Sequence, residues 1–274
     1  MHDNSGVLNV FVICTPGSTR AIPLLEKLES NPRVSLHKVN ATMISDISID
    51  NHQGLKANTD LARAIYGRDL LPGEIGCAIS HNDVRKSISL LPLGGLVFED
   101  DARISNVEEL ISDSIDFLEQ SADAARVLSF YTGDSLGESN NSRSGSAGWF
   151  RTFGHTPYAL AYVVTSQGAR RLYDSNDPVK FVADWPIAPV KFYASNEKYV
   201  RHGDVSLPST IEHHPDSRRR PRVLLRMQIF TGLYFLTNFR HVGNFRNYLE
   251  WLWLPRALFY VQKVTKILKI EMKN

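Results

Sequence analysis

Cysteine is scarce in this chain. Two thiols in 274 residues, Cys14 and Cys77, are too few for a disulfide framework. No CxxC pair or Cys/His cluster appears along the sequence, which argues against a structural zinc site. Each cysteine lies in an apolar stretch, so both are predicted to be buried thiols of a cytoplasmic protein. Long hydrophobic runs are also missing. No stretch reaches the roughly 18 apolar residues of a membrane span, and residues 229–237 and 251–261 fall short of it. No basic segment precedes the apolar residues 7–14, and Asn9 interrupts them, so the pattern of a signal peptide is absent. There is no GxxxxGK[ST] loop, which sets aside a P-loop phosphotransferase, and no internal repeat. With 43% hydrophobic and 22% charged residues, the chain is neither disordered nor fibrous.

Charge is unevenly placed. The formal net charge is +2, yet residues 217–274 hold twelve basic residues and only two acidic ones, Glu250 and Glu271. That extension carries +10, and residues 1–216 carry −8. The chain therefore reads as an acidic body, residues 1–216, joined to a basic extension, residues 217–274. The extension also contains ten aromatics, with Trp251, Trp253, Phe259 and Tyr260 close to Arg256 and Lys263. Basic side chains interleaved with Trp and Tyr suit an anionic membrane interface. Nucleic-acid stacking or a helical subdomain with an aromatic core are the other readings of the same residues.

The acidic body has α/β punctuation. Apart from Asn9, residues 7–14 form an apolar run, as in a strand buried on both faces. The turn Thr15-Pro16-Gly17-Ser18 follows, then a helix carrying Leu24, Leu25 and Leu28, which Ser30-Asn31-Pro32 stops. Residues 34–39 read as a second strand. This β-loop-α-β opening predicts an α/β domain with a mostly parallel sheet. Residues 41–70 are polar and irregular. Pro72 opens a helix of about 20 residues whose Glu74, Cys77, His81, Val84 and Ile88 share one side. An apolar strand, residues 95–98, a helix over 106–120 and strands at 126–131 and 158–165 follow. Ser166 is expected to cap one further helix. Residues 133–148, rich in Gly, Ser and Asn, read as a surface loop or as a lid over a substrate.

The strongest local signal is Glu99-Asp100-Asp101, three carboxylates directly after an apolar strand. The C-terminal edge of an open α/β sheet is where ligands bind. Adjacent carboxylates repel one another unless a cation or hydrogen-bond donors balance them, and their oxygens suit Mg²⁺ or Mn²⁺. A helix N-terminal cap or a solvated turn is the plainer reading.

The segment LPGEIGCAISH at residues 71–81, followed by FEDDAR at residues 98–103, resembles the lipooligosaccharide glycosyltransferases of glycosyltransferase family 25. Arg20 after the first strand, residues 154–172, Asp184 and Pro208-Ser209-Thr210-Ile211 fit the same pattern in order. The resemblance covers roughly residues 7–215 and leaves the extension outside. Ile13-Cys14-Thr15-Pro16 departs from it, since the family's usual Asn-Leu is missing there.

The resemblance implies a GT-A-type nucleotide-sugar transferase, one α/β domain built around a Rossmann-like sheet, that moves a sugar, most often galactose from UDP-galactose, onto a lipooligosaccharide or related glycan with inversion. The implied cofactor is Mn²⁺ or Mg²⁺. Asp101 and Asp100 are the implied metal ligands, with His213 or His214 as a nitrogen ligand. Arg20, Glu74, His81, Glu99 and Asp100 are implied to contact the donor, and Asp184 to act as the general base. A lipid-linked acceptor would be met on the inner face of the cytoplasmic membrane, with residues 217–274 as the peripheral attachment. The alternative is a non-catalytic module that binds membrane or nucleic acid through the same extension.

Overall fold

The apolar run near the N-terminus becomes strand β1 (Leu8–Cys14) in the computed structural model of the chain. Val10 and Val12 pack into a core on one face of the sheet, and Phe11 and Ile13 pack into a second core on the other. Side chains alternate faces along a strand, so only a strand covered on both sides can be apolar throughout. The structure describes residues 6–43, 62, 68–128, 135–140, 148–152, 159–184, 188, 190–195 and 199–203. His213, His214 and the whole of residues 217–274 lie outside the described residues, as does most of the polar stretch 41–70. The chain divides into two compact units, Met1–Ala57 with Leu71–Glu212, and Asn58–Leu70 with His213–Asn274. The features described next belong to the first.

Helix α1 (Ile22–Glu29) follows β1 and leads to β2 (Val34–Asn40). Helix α2 (Pro72–Ile88) precedes β3 (Gly94–Glu99) and the short β4 (Ala102–Ile104). Helix α3 (Val107–Gln120) begins at Asn106, whose side-chain oxygen accepts the Glu109 N–H at 3.3 Å. Then come β5 (Ala124–Val127), β6 (Ser135–Asn140), β7 (Trp149–Thr152) and β8 (Ala161–Thr165). Helix α4 (Ser166–Asn176) is capped by Thr165 rather than by Ser166, through the Gly168 N–H at 3.1 Å. Strands β9 (Lys191–Ser195) and β10 (Val200–His202) end the described part.

Among the described residues, eight strands form one sheet in the order β2-β1-β3-β8-β5-β9-β7-β6. From the pairings, six of the eight point the same way, and β8 and β7 run against them. Leu24 and Leu28 of α1 and Leu110, Ile111 and Phe117 of α3 cover one face. Val84 and Ile88 of α2 and Ala169 and Leu172 of α4 cover the other. The loop expected over residues 133–148 is corrected in part. Residues 135–140 form an edge strand, because antiparallel pairing with β7 satisfies backbone groups that a loop would leave to water. Both cysteines, predicted to be buried, are half-buried instead. Cys14 is the last residue of β1, at the open edge of the sheet, and Cys77 lies on the site-facing side of α2 described below.

Gly94 permits the close approach of β3 to β8. Its φ is 143°, and a Cβ there would stand 2.2 Å from the Val164 carbonyl oxygen.

One ion pair is fully enclosed. Arg126 and Asp113 are both 0% exposed and pair through Nη2 and Oδ2. The guanidinium also donates to Ser195 Oγ at 2.9 Å and lies 5.0 Å from the centre of the Trp149 ring. A buried pair is weak as a net stabiliser, but losing one partner leaves an uncompensated charge. Asp113→Ala is therefore expected to cost about 3–5 kcal/mol of stability in urea unfolding, and a loss below about 1 kcal/mol would show that the aromatic cage alone holds Arg126.

Candidate functional site

The sheet's C-terminal edge collects the polar residues. β1 and β3 are parallel, with Ile13 opposite Glu99, so both strands end together. The chain leaves β1 through Thr15-Pro16-Gly17-Ser18, closed by the Ser18 N–H to the Thr15 carbonyl at 3.0 Å. Proline presets the second turn position and Gly17, at φ 75°, supplies the third. This turn delivers Arg20, whose Nη2 lies 2.9 Å from Asp101 Oδ2 and whose Nε lies 3.7 Å from Asp100 Oδ1. The Thr15 N–H donates to Asp100 Oδ2 at 3.2 Å. Asp100 is thus buried against the end of β1.

Asp101 is held from the other side. β4 and β10 pair with His202 opposite Ala102, which sets His202 Nδ1 3.4 Å from Asp101 Oδ2. The Gly203 N–H donates to the Asp101 carbonyl at 2.6 Å, and a Cβ at Gly203 would crowd that oxygen at 2.9 Å. Asp101 Oδ1 is buried and has no hydrogen-bond partner among the described residues. Such an oxygen is satisfied by water or by a hard cation.

Glu99 turns toward α2. Its Oε1 lies 3.1 Å from His81 Nε2 and 3.9 Å from Cys77 Sγ. Burial first, and then the charge of Asp101, push the Glu99 carboxyl up to about 7, with His202 and Arg20 opposing. Its side chain keeps 29% exposure, so it has an opening to solvent between otherwise crowding neighbours. His81 is 1% exposed. Burial and then Arg85 lower its pKa to about 3, against the pull of Asp184, so the imidazole is neutral near neutral pH. The His81–Glu99 contact is therefore a hydrogen bond of a neutral ring and no ion pair. The Tyr162 hydroxyl lies 3.1 Å from His81 Nδ1 and orients the ring. Burial raises the Cys77 thiol pKa well above its usual value, helped by Glu99 and Asp184.

Asp184 reaches the same edge by way of β8. Because β8 runs antiparallel to β3, its leading residues sit beside Glu99, and the Glu99 N–H donates to the Leu160 carbonyl at 3.0 Å. The Ala159 N–H next to it donates to Asp184 Oδ1 at 2.7 Å. The residue as a whole is exposed, but this carboxylate oxygen is turned in. Desolvation by the surrounding protein and then the Glu99 charge raise its pKa, against the Ala159 N–H, His81 and His202.

The structure thus brings Arg20, His81, Glu99, Asp100, Asp101 and Asp184 to one end of the sheet. Glu74 sits at the start of α2, where its Oε2 accepts the Leu71 N–H at 2.8 Å and closes the helix terminus. His213 lies outside the described residues, and the imidazole beside Asp101 belongs to His202. Sequence reasoning missed His202, Tyr162 and Arg85. Arg85 is 2% exposed, lies four residues beyond His81 on α2 and stands 5.6 Å over the Tyr162 ring. An arginine on the apolar side of a helix was the available signal. Tyr162 and His202 carried none, since β8 and β10 supply them from distant sequence.

A comparison with curated proteins finds no match. A family model does match, over residues 26–187, and the matched span contains α2, the Glu99–Asp101 segment and Asp184. It covers more than half of the chain, so the chain belongs to Glycosyltransferase family 25 (LPS biosynthesis protein) and is a glycosyltransferase.

Proposed function

We propose that the chain is a metal-dependent, inverting transferase of GT-A type. It moves galactose from UDP-galactose to a lipooligosaccharide or lipopolysaccharide acceptor. The observation that carries this reading is the unpartnered, buried Asp101 Oδ1 at the sheet's ligand-binding edge, beside Asp100 and opposite Arg20. The described donors there, Asp100 and Asp101, are carboxylate oxygens, which fit Mn²⁺ or Mg²⁺. Asp101 and Asp100 would hold the ion, with His213 as an additional ligand. When bound, such an ion neutralises the negative charge of a departing diphosphate.

The remaining chemistry falls to side chains. Arg20 places its guanidinium at the same edge and supplies a fixed positive charge for the nucleotide phosphates. Glu99, braced by His81, is positioned for the ribose. Glu74 is retained as a donor contact through its place at the head of α2. Asp184 accepts the proton of the acceptor hydroxyl as that oxygen attacks the anomeric carbon from the face opposite the diphosphate, which inverts the centre. A carboxylate whose pKa is raised toward the operating pH is a better base for this step.

The basic extension is proposed to hold the enzyme on the inner face of the cytoplasmic membrane. No helix among the described residues is long and apolar enough to cross a membrane. Each basic residue near an anionic surface contributes about 1 kcal/mol, and residues 217–274 carry a +10 excess.

Asp101→Ala is expected to lower transfer from UDP-galactose to a lactosyl or glucosyl acceptor by about 10²–10³-fold, with unchanged circular dichroism. Full turnover by that folded variant refutes the reading. Asp184→Asn is expected to lower kcat by about 10²–10⁴-fold while UDP binding measured by calorimetry stays the same. Weakened UDP binding with intact kcat would move Asp184 from base to donor contact. Deleting residues 217–274 is expected to shift the protein from the membrane to the soluble fraction, and an unchanged distribution would remove the attachment role.

A further inference from the structure

We infer that Cys77, His81 and Glu99 form a second cation site, for a thiophilic divalent ion of the Zn²⁺ class, distinct from the oxygen-only Asp100–Asp101 pair. Cys77 and His81 are four residues apart on α2, so both project from one side of the helix. Glu99 ends β3 directly opposite them. One ligand atom from each, a sulfur, a nitrogen and an oxygen, lies within 4.8 Å of the others. Two of the edges are 3.9 Å from Cys77 Sγ to Glu99 Oε1 and 3.1 Å from His81 Nε2 to that oxygen. A tetrahedral Zn²⁺ with ordinary bond lengths spaces its ligands by about 3.4–3.6 Å. These two edges need side-chain adjustments of a few tenths of an ångström, and the edge from Cys77 Sγ to the His81 nitrogen, no longer than 4.8 Å, closes by at most about 1.3 Å.

The chemistry of the set is selective. Mg²⁺ and Mn²⁺ favour oxygen, whereas a thiolate with an imidazole favours Zn²⁺ and its neighbours. The second sphere is in place, because the Tyr162 hydroxyl sits 3.1 Å from His81 Nδ1. A metal-bound imidazole carries its proton on the nitrogen that faces such a partner. Cys77 is half-buried and Glu99 keeps an opening to solvent, so an ion can enter and a water can take the fourth position. On binding, the Cys77 S–H bond breaks, its proton passes to solvent, and the sulfur lone pair forms the metal bond. The His81 proton moves from Nε2 to Nδ1, toward Tyr162. Arg85 adds an opposing positive charge, but the Cys77 thiolate, Glu99 and Asp184 outnumber it.

The site shares His81 and Glu99 with the proposed donor contact, and its test reads metal binding alone. Full-length protein is titrated with Co²⁺, a spectroscopic stand-in for Zn²⁺, and the thiolate-to-cobalt absorption is followed. Wild type and Cys14→Ala are expected to develop the band and to lose it when Zn²⁺ is added, but to keep it in a tenfold excess of Mg²⁺. Cys77→Ser, a near-isosteric change checked by circular dichroism, is expected to abolish the band. Absence of the band in wild type, its survival in Cys77→Ser, its loss in Cys14→Ala, or its displacement by Mg²⁺ would each overturn the inference.

Discussion

Four carboxylates, Glu99, Asp100, Asp101 and Asp184, are drawn to one end of a sheet, and their mutual repulsion is what the surrounding structure has to answer. Two like charges about 4 Å apart cost about 4 kcal/mol at the effective dielectric of a protein surface. That is a large share of the stability of an ordinary domain. The structure answers in three ways. Arg20 supplies positive charge 2.9 Å from Asp101, and the His202 imidazole stands 3.4 Å from the same carboxylate. Backbone N–H groups of Thr15 and Ala159 bond Asp100 and Asp184. The remainder appears as proton affinity, since Glu99 titrates near 7 in place of the usual carboxyl range.

The scaffold explains why these groups stay where they are. β3 is buried on both faces, so its end is fixed by side chains of two cores, and the residues that follow inherit that rigidity. The antiparallel β8, inserted between β3 and β5, carries Leu160 and Ala159 to the same edge. The small β4–β10 pair brings His202 from about a hundred residues away to the side of Asp101. A glycosyltransferase needs groups that bind a charged donor and do not relax when it leaves. A site built on strand ends meets that need better than one on long loops.

Much of this was legible beforehand. The apolar run 7–14 predicted a doubly covered strand, and β1 is one. The Pro16-Gly17 pair predicted a turn, and Gly17 takes the positive φ that such a turn requires. Asn106 and Pro72 marked helix starts to within a residue. The LPGEIGCAISH and FEDDAR segments led to the family that the family model then matched. What failed has physical reasons. A Gly- and Ser-rich stretch predicts a loop or lid, yet residues 135–140 gain strand pairing from β7, which propensity alone does not register. No Cys/His cluster stands out along the sequence, because Cys77 and His81 meet their third partner, Glu99, only through the α2–β3 packing.

The sequence by itself determined the four helices, the strands β1, β2, β3, β5 and β8, the turn after β1, and that negative charge gathers after one apolar strand, while β4, β6, β7, β9 and β10 escaped it. What it determined follows from local periodicity and turn chemistry, which are properties of neighbouring residues. Only the tertiary structure decided the partners: Arg20 on Asp100 and Asp101, His202 in reach of Asp101, Tyr162 behind His81, and Asp184 at the shared edge. Those pairings depend on strand order and direction, which the burial of both sheet faces selects for the chain as a whole.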